Sequence, residues 1–411
     1  MTPPPSRLAA LVSHDAPSKF GERIIGTYET GRPGPTFIVF GGIHGNEPAG
    51  LDAAKVLFAE LERLALPLRG RFVGVIGNLA ALQRDRRFVD RDLNRRWFEG
   101  DLGRLLARDP ALDGAEDRQQ RELAAFFEEI DRTTDGPAVF LDLHSTSGVS
   151  APFMCMADTL RNRRVALALP LPIILGLEEA IDGTVMGYLT ERGHTAFAIE
   201  GGKHDAPATL QNHVSAIWLA LVASGNLAAG EVPGYAEHRA RLVKAAEGSP
   251  RLLEILYRHP VTPEDHFKMA PGFWSFQPLA AGTHLADDVR GPITTPRASV
   301  MLMPLYQEQG EDGFFLARTM SLGRLRFSTV LRTLRLEVLL DLIPGVRPHL
   351  GESDRYLVPT SVAEGFTRDL FFLFGYRRMR KEGVWVVFGR RRPGFLGRIG
   401  TRPGEADDDA G

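Results

Sequence analysis

The sequence is sparing in ways that remove whole classes of function. Cys155 is the only cysteine among 411 residues, so no intramolecular disulfide can form and no zinc site can be built on thiolates. There is no run of about 18 consecutive apolar residues, the length a membrane-spanning helix needs. Net charge is -2, from 49 basic and 51 acidic residues. The chain as a whole therefore offers nucleic acid or an anionic membrane no electrostatic attraction. Its start, MTPPPSRLAALVSHDAP, lacks the basic segment and apolar stretch of a secretion signal. The expectation is a soluble, cytoplasmic protein with neither nucleic acid nor membrane among its partners.

What is present is an ordinary globular composition, 44% hydrophobic and 24% charged, in a chain long enough for two or three domains. Up to about residue 225, short β-rich runs at 37–40, 72–76, 139–143, 153–156, 173–175 and 197–199 alternate with helical segments, the pattern of an α/β sheet with helical crossovers. In PAGLDAAKVLFAELERL, the residues Leu51, Ala54, Leu57, Phe58 and Leu61 recur at three- and four-residue steps and predict an amphipathic helix, with Pro48 suited to its first turn. TLQNHVSAIWLALVASGN predicts another, closing near Gly225. Beyond a polar stretch the texture becomes turn-dense and β-rich, as in FWSFQPLAAGTHLADDVRGPITTPRASVMLMPLY. Further on, LRTLRLEVLLDLI predicts a helix and GVWVVFG a strand. No internal repeat is visible. The expected organisation is an N-terminal segment (1–20), an α/β unit (21–228), a small β-rich domain (248–319), an α+β extension (320–400) and a disordered acidic tail (401–411).

The stretch GGIHGNEPAG places His44 and Glu47 just past a strand, where a tight turn through Gly45 and Asn46 brings both to one ion. Such a pair is common by chance. Its significance rests on AVFLDLHSTSG, whose His144 stands at the end of another strand. Two histidines and a glutamate, with a fourth position for water, form a catalytic zinc set, and open α/β sheets bind ligands at strand carboxyl ends. Asp142 shares the strand face of His144 and is either an orienting acceptor for it or simply a buried, capped carboxylate. RRFVDRDLNRRW holds Arg87, Arg91, Asn94, Arg95 and Arg96. A solvated face is the plain reading of most of these arginines, but beside zinc a forming oxyanion needs a cation and a substrate carboxylate needs a guanidinium. Glu200 ends the strand in AFAIEGGKH, where a carboxylate can take a proton from metal-bound water.

In that order, GGIHGNEPAG, RFVDRDLNRRW, LDLHSTSG and AIEGG resemble the aspartoacylase and succinylglutamate desuccinylase family, a branch of the zinc carboxypeptidase-like hydrolases. The resemblance covers residues 21 to about 225 well, the segment to about 319 loosely, and the remainder not at all. It implies a zinc carboxypeptidase-like mixed sheet with flanking helices. It also implies one zinc ion on His44, Glu47 and His144, with Glu200 as general base, Arg87 on the oxyanion, and Asn94 and Arg95 gripping a substrate carboxylate. The implied activity is removal of an acyl group from an N-acyl amino acid or related small carboxylate by attack of a metal-bound water. Aspartate-specific members carry a further arginine about ten residues before the glutamate. Here that position is Thr190, with Arg192 out of register, so specificity for an acidic side chain is not expected. Tyr306 is a candidate aromatic for closing the pocket.

A metallocarboxypeptidase acting on peptides is the alternative within enzymes, and an open groove in place of a covered cleft would favour it. A non-catalytic scaffold that keeps the fold is the alternative outside them. Its working surface would be residues 376–402, with nine basic residues against one acidic, which otherwise read as a solvated hairpin rim. His194, His204 and His213 read as structural or rim histidines, and Cys155 as a small buried hydrophobe. The acyl group, the amino acid, the oligomeric state and the purpose of residues 320–411 are not specified by these motifs.

Overall fold

The computed structural model describes residues 21–349, 354–363 and 365–390; the N-terminal segment and the acidic tail lie outside them. The α/β unit runs through β1 (Ile24–Glu29), β2 (Arg32–Gly41), α1 (Ala49–Leu64), β3 (Arg69–Ile76), α2 (Leu79–Leu82), α3 (Glu99–Ala107) and α4 (Ala115–Thr133). It continues through β4 (Val139–Thr146), β5 (Phe153–Met156), α5 (Leu160–Ala168), β6 (Ile173–Leu175), α6 (Leu177–Ala180), α7 (Val185–Glu191), β7 (Thr195–Lys203), α8 (Pro207–Ser224) and α9 (Tyr235–Ala245). Each of the six apolar runs lies within a strand. The helix read from Leu51 to Leu61 is α1, and α8 closes on Gly225 in the left-handed conformation.

Strands β3, β2, β4 and β7 are parallel neighbours in a sheet of order β1-β3-β2-β4-β7-β5-β6, with β1 and β5 antiparallel to β3 and β7. Such strands are buried on both faces, which explains their unbroken apolar runs. Side chains alternate across the sheet. Phe37, Val39, Leu141, Leu143, Phe197 and Ile199 face a core completed by α1 and α8. Ile38, Phe40, Phe140, Ala196 and Ala198 face the opposite core, built with α3, α4 and α7. Continuing that alternation puts Asp142, His144 and Glu200 on the second face, and His144 and Glu200 are direct register partners on adjacent strands.

The β-rich segment adds β8 (Leu252–Pro260), β9 (Lys268–Met269), β10 (Pro278–Leu279), β11 (His284–Asp288), β12 (Gly291–Thr294), β13 (Ser299–Leu302) and β14 (Asp312–Thr319). It shares its main sheet with the first unit: β8 pairs with β6, and β14, β13 and β10 follow, making 11 strands in all. Only β12, β11 and β9 form a small sheet of their own. The reading by texture could not see this, because runs broken by Gly and Pro mark turns and not the sheet a strand joins.

The extension comprises α10 (Leu322–Thr333), β15 (Arg347–Pro348), β16 (Arg355–Pro359), α11 (Phe366–Leu373), β17 (Arg378–Glu382) and β18 (Trp385–Gly389). Its four strands form an antiparallel sheet over a core that includes Leu340, Tyr356, Val358, Phe371, Tyr376 and Phe388. The single helix expected for LRTLRLEVLLDLI is interrupted: α10 ends at Thr333, Arg335 takes a left-handed φ of +54°, and Leu336–Leu342 is a 3-10 helix. Buried ion pairs join the extension to the sheet. Asp158, after β5, accepts from Arg163, Arg332 and Arg377, while Glu254 on β8 accepts from Arg318 and Arg377. Arg377, part of the basic stretch read as a solvated rim, is thus a buried tie. Among the described residues, no helix is long and apolar enough to cross a membrane.

Candidate metal centre and active site

The turn after β2 is set by its neighbours. Gly50, opening α1, lies so close to β4 that an added Cβ would stand 2.5 Å from that of Leu143. Gly45 lies against the backbone of α2, where a Cβ would come within 2.1 Å of Ala81. Glycine is required at Gly45 for this close approach and not for a left-handed backbone, since its φ is not positive. The turn so held points His44 and Glu47 at the end of β4.

There, His44 Nδ1 lies 2.9 Å from Glu47 Oε1, and His144 Nδ1 lies 3.1 Å from Glu47 Oε2. One donor atom from each residue falls within 4.8 Å of the others, and all three residues are buried. The opposite ring nitrogens are also occupied, His144 Nε2 at 2.8 Å from Asp142 and His44 Nε2 at 3.2 Å from Asp92. A proton on each Nε2, bonded to a carboxylate, leaves each Nδ1 lone pair directed inward, the arrangement that orients metal-binding imidazoles. Asp142 thus stands where it can accept from His144 and fix its ring. The set of two imidazoles and one carboxylate fits a divalent ion of the zinc type.

Apart from any ion, the three groups act on one another as charges. Burial opposes the ionisation of Glu47, but His44 and His144 together hold its carboxyl well below the usual range. Burial likewise opposes the protonation of His144, and Asp142 with Glu47 raises it well above the ordinary imidazole value. Glu200 differs. Burial, reinforced by Glu47 and Asp142, outweighs the pull of His144 and Arg87 and lifts its carboxyl to about 8. Its Oε2 is buried without a hydrogen-bond partner among the described residues.

These residues share one cavity. His44, Glu47, Arg87, Asn94, Arg95, His144 and Glu200 all line it. Arg87 donates from Nε and Nη2 to Asp92, at 3.1 and 2.9 Å, and its Nη1 stands 3.6 Å from Glu47. The Asn94 carbonyl oxygen is committed to the Val185 amide, which leaves its NH2 as the group on offer. Arg95 donates from Nη2 to Asp312 on β14 at 2.6 Å, yet its Nε is buried and unsatisfied among the described residues. An orphaned buried donor of this kind is costly unless a ligand completes it.

Sequence reading missed four participants. Asp92 bonds His44, Arg87 and the Asn94 amide at once, and burial fails to stop Arg87, His44 and Arg95 from holding its carboxyl well below the usual range. Its place at the head of DLNR was the available signal. Asp312, Glu178 and Thr184 line the cavity from distant elements, and Thr184 donates to Glu178; no local pattern marks them. Thr190 lies on α7 with its hydroxyl on the Met186 carbonyl, Arg192 pairs with Asp131, and neither lines this cavity. Tyr306 is also outside it, its hydroxyl donating to Ala270 and accepting from Phe273. His204 is tied to Ser145 at 2.7 Å and to Gln307 at 3.2 Å. Burial pushes His213 down to about 4 and the Cys155 thiol well up, so the first is neutral and the second inert.

Residues 33–222, which contain every one of the proposed site residues, match the model of the succinylglutamate desuccinylase/aspartoacylase catalytic domain. This part of the chain, less than half of it, is similar to that catalytic domain. Succinylglutamate desuccinylase of Burkholderia pseudomallei (strain 1710b) is 33% identical over 108 residues, 26% of this chain and 30% of that one. A probable aspartoacylase of Parasynechococcus marenigrum (strain WH8102) is 35% identical over 180 residues, 40% of this chain and 52% of that one. The chain thus matches less than two thirds of the length of either curated relative. The crystal structure of succinylglutamate desuccinylase from Vibrio cholerae superposes with a TM-score of 0.52 at 16% identity, over 70% of this chain and 82% of that chain. At that identity the likeness establishes the desuccinylase/aspartoacylase fold alone. The family match ends well before the extension, which is built outside it.

Proposed function

We propose that the protein is a zinc-dependent amidohydrolase that removes an acyl group from a small N-acyl amino acid. The observation that carries this reading is the convergence of His44, Glu47 and His144 on one point, with the unpartnered carboxyl of Glu200 in the same cavity. His44, Glu47 and His144 would hold the ion. When bound, zinc supplies Lewis acidity that polarises a carbonyl and eases the ionisation of water. Glu200 Oε2 takes a proton from the attacking water and returns it to the departing amine nitrogen. Arg87, fixed by Asp92, supplies positive charge where the carbonyl oxygen becomes negative. The Arg95 Nε and the Asn94 amide receive the substrate carboxylate.

A small substrate suits the cover over the site. Met303, Pro304, Leu305 and Gln307 from the loop after β13 wall the cavity, whose volume is ≈ 110 Å³. These walls narrow the room for a peptide, which favours a small substrate over the carboxypeptidase reading. Glu178, Glu311 and Asp312 also line the cavity, and no arginine takes the place of Thr190. Beyond Arg87 and Arg95, no arginine lines the cavity among the described residues, so an acidic side chain of the substrate would meet no further cation there. Purified protein is to be assayed against N-acetyl and N-succinyl derivatives of acidic, neutral and basic amino acids, with and without chelator. Chelator-sensitive turnover of neutral or basic substrates, with N-acetylaspartate a poor one, is the expected result. Preference for N-acetylaspartate overturns the specificity reading, and absence of any chelator-sensitive hydrolysis overturns the function.

A further inference from the structure

Where the extension meets the first unit, a second cavity of ≈ 470 Å³ opens, lined by Thr159, Arg161, Thr190, Arg332, Arg335 and Arg390 among others. It lies at the far end of β7 from the chemistry. Thr190 and His194 precede that strand and line this cavity, whereas Glu200 comes six residues after His194, roughly 20 Å along an extended chain. The volume is within the range of sites that enclose small molecules.

Its walls hold more positive charge than the protein neutralises. Of the four lining arginines, Arg390 donates to Glu337 and Asp354. Arg332 donates to Asp158, but that carboxylate is already shared with Arg163 and Arg377. Burial pushes Arg332 down to about 10 despite Asp158, and Arg163, Arg377 and Arg390 add repulsion. The side chains of Arg161 and Arg335 have no hydrogen-bond or ion-pair partner among the described residues. Glu337, taken by Arg390, is the only acidic side chain on the lining. Arg335 is also one of the few non-glycine residues with a left-handed backbone, a conformation with a cost that its surroundings sustain. Two unpaired guanidinium groups that line one cavity with a third, buried one can receive an oxyanion, since their planar forks match carboxylate and phosphate alike.

We propose that this cavity is a binding site for a small, multiply charged oxyanion, a dicarboxylate or a phosphorylated metabolite, received by Arg161 and Arg335 together with Arg332. The site exists only because the extension is present, since Arg332, Arg335, Glu337 and Arg390 all belong to it.

The test uses the full-length chain in isothermal titration at constant ionic strength, with inorganic phosphate in one arm and glutarate in the other. Saturable binding of one or both probes at one per chain is expected. It should persist in His144→Ala, which places it away from the catalytic cavity, and weaken by roughly tenfold or more in Arg161→Gln and in Arg335→Gln. Neither side chain makes a hydrogen bond or ion pair among the described residues, so both variants should melt like the parent protein. The arm that binds names the source, phosphate or carboxylate. Absence of saturable binding in both arms, undiminished binding by both arginine variants, or loss of binding in His144→Ala each overturns the proposal.

Discussion

Replacing Glu200 with glutamine separates proton transfer from metal binding and from folding, and the structure fixes what each should do. Glu200 is not one of the three residues that converge as ligands, so zinc content should remain that of the parent. Its Oε2 has no hydrogen-bond partner among the described residues, so the isosteric amide breaks no network there. Burial and the neighbouring carboxylates already disfavour its charge, so a neutral side chain should not destabilise the protein. What disappears is the ability to accept a proton from water and deliver it to the amine. General acid-base catalysis contributes about 10² to 10⁴-fold, or roughly 3 to 5 kcal/mol of barrier. Glu200→Gln should therefore lower kcat at least about a hundredfold, with KM nearly unchanged and the melting temperature equal or higher. The assay is steady-state hydrolysis of the best substrate from the acyl amino acid screen, alongside metal analysis and thermal unfolding. Turnover near the parent rate with zinc in place would refute the reasoning, because the proton would then have to move through another group.

Asp142→Ala removes the acceptor that fixes His144, and zinc affinity measured by competition with a chelator should weaken by roughly 10 to 100-fold; unchanged affinity would mean that Asp142 is merely a buried carboxylate. Arg95→Lys keeps a cation beside Asp312 but loses the planar fork, so KM for an N-acyl amino acid should rise while the gap to its amide analogue narrows. An undiminished preference for the free carboxylate removes Arg95 from substrate binding. Asp158→Asn strands Arg163, Arg332 and Arg377 around a neutral group, and thermal or urea unfolding should show a loss of about 3 to 5 kcal/mol at pH 7. Burial raises and the three arginines lower the pKa of Asp158, with the net result well below the ordinary value. Its contribution is therefore present above about pH 4 and lost as pH falls through the folded-state value, so the two proteins should converge in acid and not in alkali.

The parts of the site that were legible are those that local chemistry enforces. A strand buried on both faces must be an apolar run, so His44 and Glu47 could be placed in the turn after β2, and His144 and Glu200 towards the carboxyl ends of β4 and β7, from short stretches of sequence. Asp92 was legible in principle, since an aspartate that caps Asn94 while touching His44 and Arg87 is the fixed point of its loop. Weighing only the cations of that loop hid it. Asp312 was not legible. It meets Arg95 across 217 residues of sequence through β14, which joins the far half of the sheet, and no period or turn signal reports which distant strand a sheet recruits. The same limit hid the role of the basic C-terminal stretch. Charge runs are usually solvated, and Arg378 does pair with Glu191 at the half-exposed surface, yet its neighbour Arg377 is buried against Asp158 and Glu254. Arg377 comes just before β17 and Arg378 opens it, so a run of basic residues at the edge of a sheet divides into one set for water and one for the interior. Which arginine belongs to which set depends on where the acids of another unit lie, and that is a property of the assembled fold.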